Sequence, residues 1–430
     1  MKLDYKKTLL IGFGFLATSI AWAVYNTYVP LILDNYIPNS FTLWIIPGIF
    51  CLQKTAAIGA IMAIDNVFGA IFQPIFGNLS DKTVTRFGRR MPYMLVGIPV
   101  CAVLFFLVPF TTTVYSLMAV VIIFNFVMST WRSPVIALMP DLTPSKFRSQ
   151  ANGIINFMGG IGTLIAFFAG GLLFKAGGMP LPFLVSSVVM IGAVVILKIF
   201  IKEPMRPVED EPEETVRQEK MELSIEEKRL KKRSLIAILL AIFFWFMAYN
   251  AVETFFSTYI TKTNASMDAG DASLLMSVFS LSFLIFAIPA GFIGKRFGRK
   301  KTILTGLTGI TMLFAIMYFV NAQNILLILL ILGGICWALI NVNSLPMVVD
   351  MTGYASLGKY TGYYYLFSFS AAIASPILFG AFRDLIGSYH ILFIYSAIAF
   401  LAAWVCMLFI APGHGESKKV KTDFLQDDIG

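Results

Sequence analysis

Hydrophobic residues run along this chain in long blocks separated by short polar stretches. A helix needs about 20 successive apolar residues to cross a bilayer, where only an internally hydrogen-bonded backbone is stable. Blocks of that length occupy 8–33, 54–77, 91–110, 114–139, 149–174, 182–201, 234–261, 271–293, 302–320, 324–349, 359–383 and 389–411. They fall six and six about a hydrophilic segment that mixes charges of both signs, opens with prolines and closes, over 213–232, with the pattern of an amphipathic helix. The organisation predicted is an N-terminal six-helix bundle (1–201), a linker (202–233), a C-terminal six-helix bundle (234–411) and a tail (412–430). The first block contains Ala21 and Ala23 in a signal-peptidase-like spacing, but it is too long for a signal peptide and reads as an uncleaved helix.

Composition narrows the class: 58% of residues are hydrophobic and 13% charged, with a mean hydropathy of +0.79, the balance of an all-α polytopic membrane protein. The net charge of +9 would suggest nucleic acid in a soluble protein. Here, of 33 Lys and Arg, all but Lys54, Arg132, Lys175, Lys198, Lys262 and Arg383 lie in one set of alternate loops, the linker and the two ends. That asymmetry places both termini and the linker on the cytoplasmic face, most simply of a plasma membrane, with the lipid bilayer and not nucleic acid as partner. Cys51, Cys101, Cys336 and Cys406 are scattered singly in apolar surroundings and read as buried thiols. The sequence carries no catalytic grouping, metal-ligand spacing or phosphate-binding loop, so neither an enzyme nor a cofactor is expected.

The halves echo each other. GNLSDKTVTRFGRR at 77–90 has a shorter counterpart in GFIGKRFGRKK at 291–301. Trp22, Tyr25 and Asn26 in span 1 match Trp245, Tyr249 and Asn250 in span 7, and Asp141 stands before Gly153 as Asp350 stands before Gly362. Such doubling marks a two-repeat transporter.

Charged groups inside spans are rare unless they are used, and here they reduce to Asp65, Arg132 and Glu253. At about 1.5 Å per residue, Asp65 lies ~17 Å and Glu253 ~12 Å below the outer surface, with Arg132 roughly 10 Å deeper. A carboxyl group in a low-dielectric cavity can take up and release a proton near neutral pH, which makes Asp65 and Glu253 candidate proton carriers. A structural ion pair between helices is the plainer alternative for both.

Gly77, Leu79, Ser80, Asp81 and Lys82, followed by Gly88, Arg89 and Arg90, resemble the signature of the major facilitator superfamily between helices 2 and 3. The lengthened form ending Thr85-Arg86-Phe87-Gly88-Arg89-Arg90 before Pro92, with AIDNVFGAIFQPIFGNLSD and RSPVIALMPDLTPSKFRSQANGIINFMGG, is similar to the glycoside-pentoside-hexuronide:cation symporters and especially their sucrose-transporter-like branch. The resemblance implies the major facilitator fold, with two pseudo-symmetric bundles and helices 1, 4, 7 and 10 lining a central cavity, and cation-coupled uptake of a glycoside. The helix 2 acids of sodium-coupled members fall on Gly69 and Gln73, and helix 4 offers Asn125 and Arg132 in place of an acid. A hard cation wants several charged oxygens, so the expected coupling ion is the proton and not sodium.

Sugars are held by planar amides, carboxylates and guanidinium groups together with aromatic faces. On the expected cavity helices the candidates are Trp22, Tyr25, Asn26 and Tyr28; Asn66 and Gln73; Asn125 and Arg132; Tyr249 and Asn250; and Trp337 and Asn341. Trp22, Tyr25 and Tyr28 are expected to share a helix face. For each aromatic the alternative is ordinary packing. Gly77, Asp81, Arg86, Gly88, Arg89 and Arg90 form the candidate gating loop, a charge network expected to hold the outward-facing state. The expected activity is proton-coupled symport of a glucoside or disaccharide resembling sucrose or maltose. The alternatives are an exporter of drugs or amphiphiles on the same fold and a non-transporting membrane sensor.

Overall fold

The computed structural model describes residues 3–46, 50–144, 147–203, 225–320, 322–351 and 357–411. Most of the linker and the tail from 412 onward lie outside these residues. Thirteen α-helices supply twelve spans long and apolar enough to cross a membrane. In chain order they are α1 (Tyr5–Tyr36), α2 (Lys54–Met62) and α3 (Ile64–Lys82), which together make span 2, α4 (Met91–Leu107), α5 (Val114–Leu142), α6 (Arg148–Gly177), α7 (Pro180–Phe200), α8 (Ile225–Thr263), α9 (Ala269–Phe297), α10 (Arg299–Met317), α11 (Gln323–Asp350), α12 (Leu357–Ile386) and α13 (Ile391–Leu408). The first six spans and the last six form the two bundles.

Two features depart from the sequence reading. The stretch after α1 forms an antiparallel hairpin, β1 (Thr42–Ile46) with β2 (Phe50–Gln53), pairing Thr42 with Gln53 and Trp44 with Cys51. The fold is thus almost entirely rather than wholly helical. Helix α8 also begins at Ile225, inside the stretch read as linker, because no Gly or Pro separates that basic stretch from span 7.

Local chemistry explains why polar residues are tolerated in the spans. Hydroxyls of Thr18, Thr27, Ser129 and Ser186 donate to carbonyls one turn back, at 2.7–2.9 Å, and so need no water. Large apolar side chains such as Val96, Val103, Phe292 and Ile398 are more than half exposed, as lipid-facing residues should be.

The bundles meet unevenly. At the end bearing Lys54, Lys175, Lys262 and Arg383, α2 packs on α12, α6 on α9 and α1 on α8. A Cβ added to Gly59 would lie 2.1 Å from the Pro376 carbonyl oxygen, and one on Gly380 would lie 2.5 Å from Ala56 Cα. Between α6 and α9, Gly171 and Gly270 likewise sit against each other's carbonyl oxygens, at 2.7 and 2.8 Å from the added Cβ. Close backbone approach through small residues is how helices gain contact where lipid removes the hydrophobic drive. At the opposite, basic end the same test at Gly153 on α6 and Gly362 on α12 meets nothing within 4 Å. Asn152, Asn156 and Leu366 are exposed there, and among the described residues α5 and α11 are not packed along each other. The molecule is closed at one end and open at the basic end.

Replacing Gly380 with Leu is expected to prevent this closure. A cysteine at Ala56, 2% exposed, should then react with a soluble maleimide in detergent-purified protein, whereas the Gly380 parent stays protected.

Candidate functional site

About a third of the way along span 2 the helix falters at Ala63, where the backbone turns (φ −72°, ψ −12°) before α3 begins. Asp65 therefore sits in the first turn of α3. The backbone N–H and the side-chain amide of Asn66 both donate to its Oδ1 at 2.6 Å. Across the gap between bundles, Glu253 on α8 is within electrostatic reach of Asp65, and Asn26 on α1 hydrogen-bonds it. Arg132 on α5 is the cation that Asp65 feels. Its guanidinium lies 5.6 Å from the Trp22 ring centroid. Asp65, Glu253, Arg132, Trp22, Asn26 and Asn66 are all half-buried, deep within their spans.

An aromatic wall stands behind them. Trp22 packs edge-on against Tyr25 at 5.5 Å, and Tyr25 stacks on Phe124 at 5.9 Å. Tyr25 and Asn125 are buried, and the Asn125 amide donates to the Tyr25 hydroxyl at 3.4 Å. Asn125 Oδ1 and the Trp22 indole N–H find no partner among the described residues. On the other bundle Tyr249 and Trp337 stack nearly parallel, 4.6 Å apart. Asn341 lies half-buried one turn beyond Trp337, and Gln73 two turns beyond Asp65.

Two expected members stand apart. Tyr28 is buried and stacks on Phe174 at 5.6 Å, with Phe183 beside it, so it packs inside the first bundle rather than sharing the Trp22 face. Six residues turn a helix by about 600°, which rotates Tyr28 well away from Trp22. Asn250 donates to the Phe246 carbonyl of its own helix at 2.7 Å.

The loop at the basic end is built around Arg90, 4% exposed. Its guanidinium pairs with Asp81 and, at 2.8 Å, with Asp141, and Arg89 reaches the same Asp141 at 3.0 Å. Burial works against the Arg90 charge, but Asp141 and Asp81 outweigh it and raise its pKa above the ordinary value. Gly88 adopts φ +105°, and a Cβ there would strike Glu203. Sequence reasoning missed Glu203: its carboxylate accepts from the backbone N–H of Arg90 and Met91 at the start of α4. Arg86, by contrast, stacks on Phe87. The second repeat keeps a reduced copy in which Arg299 pairs with Asp350. Every partner described for this network lies in its own bundle, so in this conformation it ties α3, α4, α5 and the chain after α7 together.

The family model for the Major Facilitator Superfamily matches residues 11–270 and 262–426. The chain belongs to the Major Facilitator Superfamily. Its twelve apolar helices mark it as a multi-pass membrane protein of that family. Among similar proteins, tetracycline resistance protein class H of Pasteurella multocida is 25% identical over 259 residues, 58% of this chain and 60% of that protein. The isoprimeverose transporter of Lactiplantibacillus pentosus is 26% identical over 271 residues, 59% of this chain and 54% of that protein. The chain thus spans little more than half the length of these curated relatives. The crystal structure of the nucleoside transporter NupG matches in fold with a TM-score of 0.68 at 15% identity, covering 94% of this chain and 100% of that one.

Removing the Arg90 side chain leaves Asp141 and the backbone around it short of a partner, a change that typically costs about 3 kcal/mol. Arg90→Ala is expected to lower the melting temperature in detergent, with Arg86→Ala unchanged. Tyr28→Phe should leave ligand affinity at the parent value, whereas Trp22→Ala should weaken it at least about tenfold, read by calorimetry with whichever small molecule stabilises the protein.

Proposed function

We propose that this transporter takes up a glycoside together with protons. The observation that carries the reading is the pair Asp65 and Glu253, one acid from each bundle, brought into electrostatic reach across the cavity beside Arg132. Two carboxylates that feel each other in a low-dielectric space resist being ionised together. Protonation of one is therefore a natural condition for the bundles to come together over them. Arg132 keeps its charge throughout and balances whichever acid remains ionised.

Asn26 and Asn66 offer the planar donor and acceptor pairs that sugar hydroxyls need. The half-exposed Trp22, with its unpartnered indole N–H, offers a face for the apolar side of a pyranose ring. The lengthened loop signature and the similarity to an isoprimeverose transporter support a sugar as the cargo. On the positive-inside rule the basic end is cytoplasmic, which makes the described conformation inward-facing. The similarity to a tetracycline resistance protein supports a second reading, export of an amphiphile on the same fold.

In proteoliposomes, an inward proton gradient is expected to drive accumulation of at least one labelled sugar from a panel that includes isoprimeverose. Uptake that is indifferent to the gradient for every sugar, combined with gradient-driven tetracycline extrusion, would favour the exporter. Asp65→Asn should abolish accumulation against a concentration gradient while leaving sugar exchange intact.

A further inference from the structure

Helix α8 starts well outside the apolar block of span 7, and its first turns are basic. At about 100° per residue, Arg229, Arg233, Ile236 and Leu240 fall within an arc of about 60° on one side of the helix. All four are exposed. Glu253, thirteen residues beyond Leu240 on the same helix, is turned about 140° from it. The stripe therefore looks away from the central acids and out of the bundle.

The neighbour on that side is α13, which packs along α8. The Arg233 guanidinium lies 5.5 Å from the Phe409 ring centroid, and Val405 stands one turn before Phe409 on the same face. Ile236, Leu240, Val405 and Phe409 are each 39–52% exposed. They form an apolar furrow that Arg233 closes at the basic end. Beneath it the helix ends are tied together: the buried Ser234 hydroxyl accepts from the Ala411 N–H at 3.0 Å, and Lys300 of α10 donates to the Ile410 carbonyl. The furrow is thus built into the bundle.

Neither arginine is neutralised: among the described residues no carboxylate pairs with Arg229 or Arg233. An aromatic ring engages the face of a guanidinium and leaves its in-plane N–H donors for an anion. Arg229 lies one turn farther out, ~6 Å along the axis, so the two arginines reach the oxygens of a single phosphate group. From Arg233 to Leu240 the furrow runs ~10 Å along the helix, within the ~15 Å of hydrocarbon that one leaflet provides. A soluble anion has no use for the apolar part, and a neutral lipid has none for the arginines.

We propose that the furrow between α8 and α13 binds an anionic phospholipid, its phosphate on Arg229 and Arg233 and an acyl chain along Ile236, Leu240 and Val405. Charge complementarity selects the lipid, because a zwitterionic headgroup brings a cation of its own to the arginines. The bound lipid holds the basic turns of α8 at the membrane surface. Where the chain enters the second bundle then depends on the composition of the bilayer.

The test is native mass spectrometry of the full chain in detergent, titrated with phosphatidylglycerol or phosphatidylcholine of the same acyl chains. The parent is expected to bind its first phosphatidylglycerol at least about tenfold more tightly than phosphatidylcholine. Arg229→Gln combined with Arg233→Gln should weaken that step roughly 25-fold, about fivefold per base, and leave phosphatidylcholine unchanged. Lys295→Gln combined with Lys301→Gln removes the same charge from exposed positions elsewhere at the basic end and should leave both lipids unaffected. Soluble glycerol 3-phosphate should not displace the lipid. The site is overturned if the parent shows no preference, if the two double variants lose affinity equally, or if glycerol 3-phosphate competes at the lipid's own concentration, which marks a simple anion site. Should the arginine variant fail to fold, phosphatidylglycerol with a diazirine on its acyl chain is photolysed with the parent in nanodiscs. Its adducts are expected on 236–240 and 401–409, and adducts spread evenly over the other lipid-facing helices count against the site. The readout is lipid binding, which stands apart from the identity of the cargo.

Discussion

A carboxylate taken out of water must find another group to solvate it, and this protein meets that demand at three levels along the bilayer normal. At the basic end Asp81 and Asp141 lean on Arg90, inside one bundle. At the closed end Asp34, Asp271 and Asp384 are shared between bundles. In the middle Asp65 feels both Glu253 of the other bundle and the positive charge of Arg132. The contrast between the levels decides what can move. Pairs inside a bundle tie its helices together, pairs between bundles fasten one end, and the central acids are held by the amides of Asn66 and Asn26.

The spans were legible because the bilayer demands one thing of every crossing segment, about 20 apolar residues, and that demand is written locally. The signature at 77–90 was equally plain, as was a charge network among its acid and arginines. Less legible was where its partners lie: Glu203 reaches back to Arg90 and Met91 from beyond α7, a contact between segments separated by more than a hundred positions. The hairpin after α1 was missed because its apolar residues lie between two long apolar spans, and its β pairing carries no turn signal stronger than Pro-Gly at 47–48.

The central site was partly legible. Charges in apolar runs are conspicuous, so Asp65, Glu253 and Arg132 stood out. Which aromatics accompany them follows from rotation about the helix axis: Trp22 packs beside Tyr25, while Tyr28 lies against Phe174. The helical period, applied over six residues, already sets Tyr28 on a different face from Trp22. The sparse lysines and arginine of the closed end were visible as a topological pattern, but their partners were not, because each pairing joins span ends far apart in sequence. A usable signal was nonetheless present. Asp34, Asp271 and Asp384 stand at the same ends of their spans as those cations, on the side where charge of either sign is scarce.

Helix α8 carries this organisation beyond the bilayer. Its 39 residues amount to about 58 Å of unbroken rod, against a hydrocarbon core of about 30 Å. Lys262 stands at one end and Glu253 nine residues before it. The two are therefore about 14 Å apart along one rod, so neither the central acid nor the cation of the closed end can shift along that axis without the other.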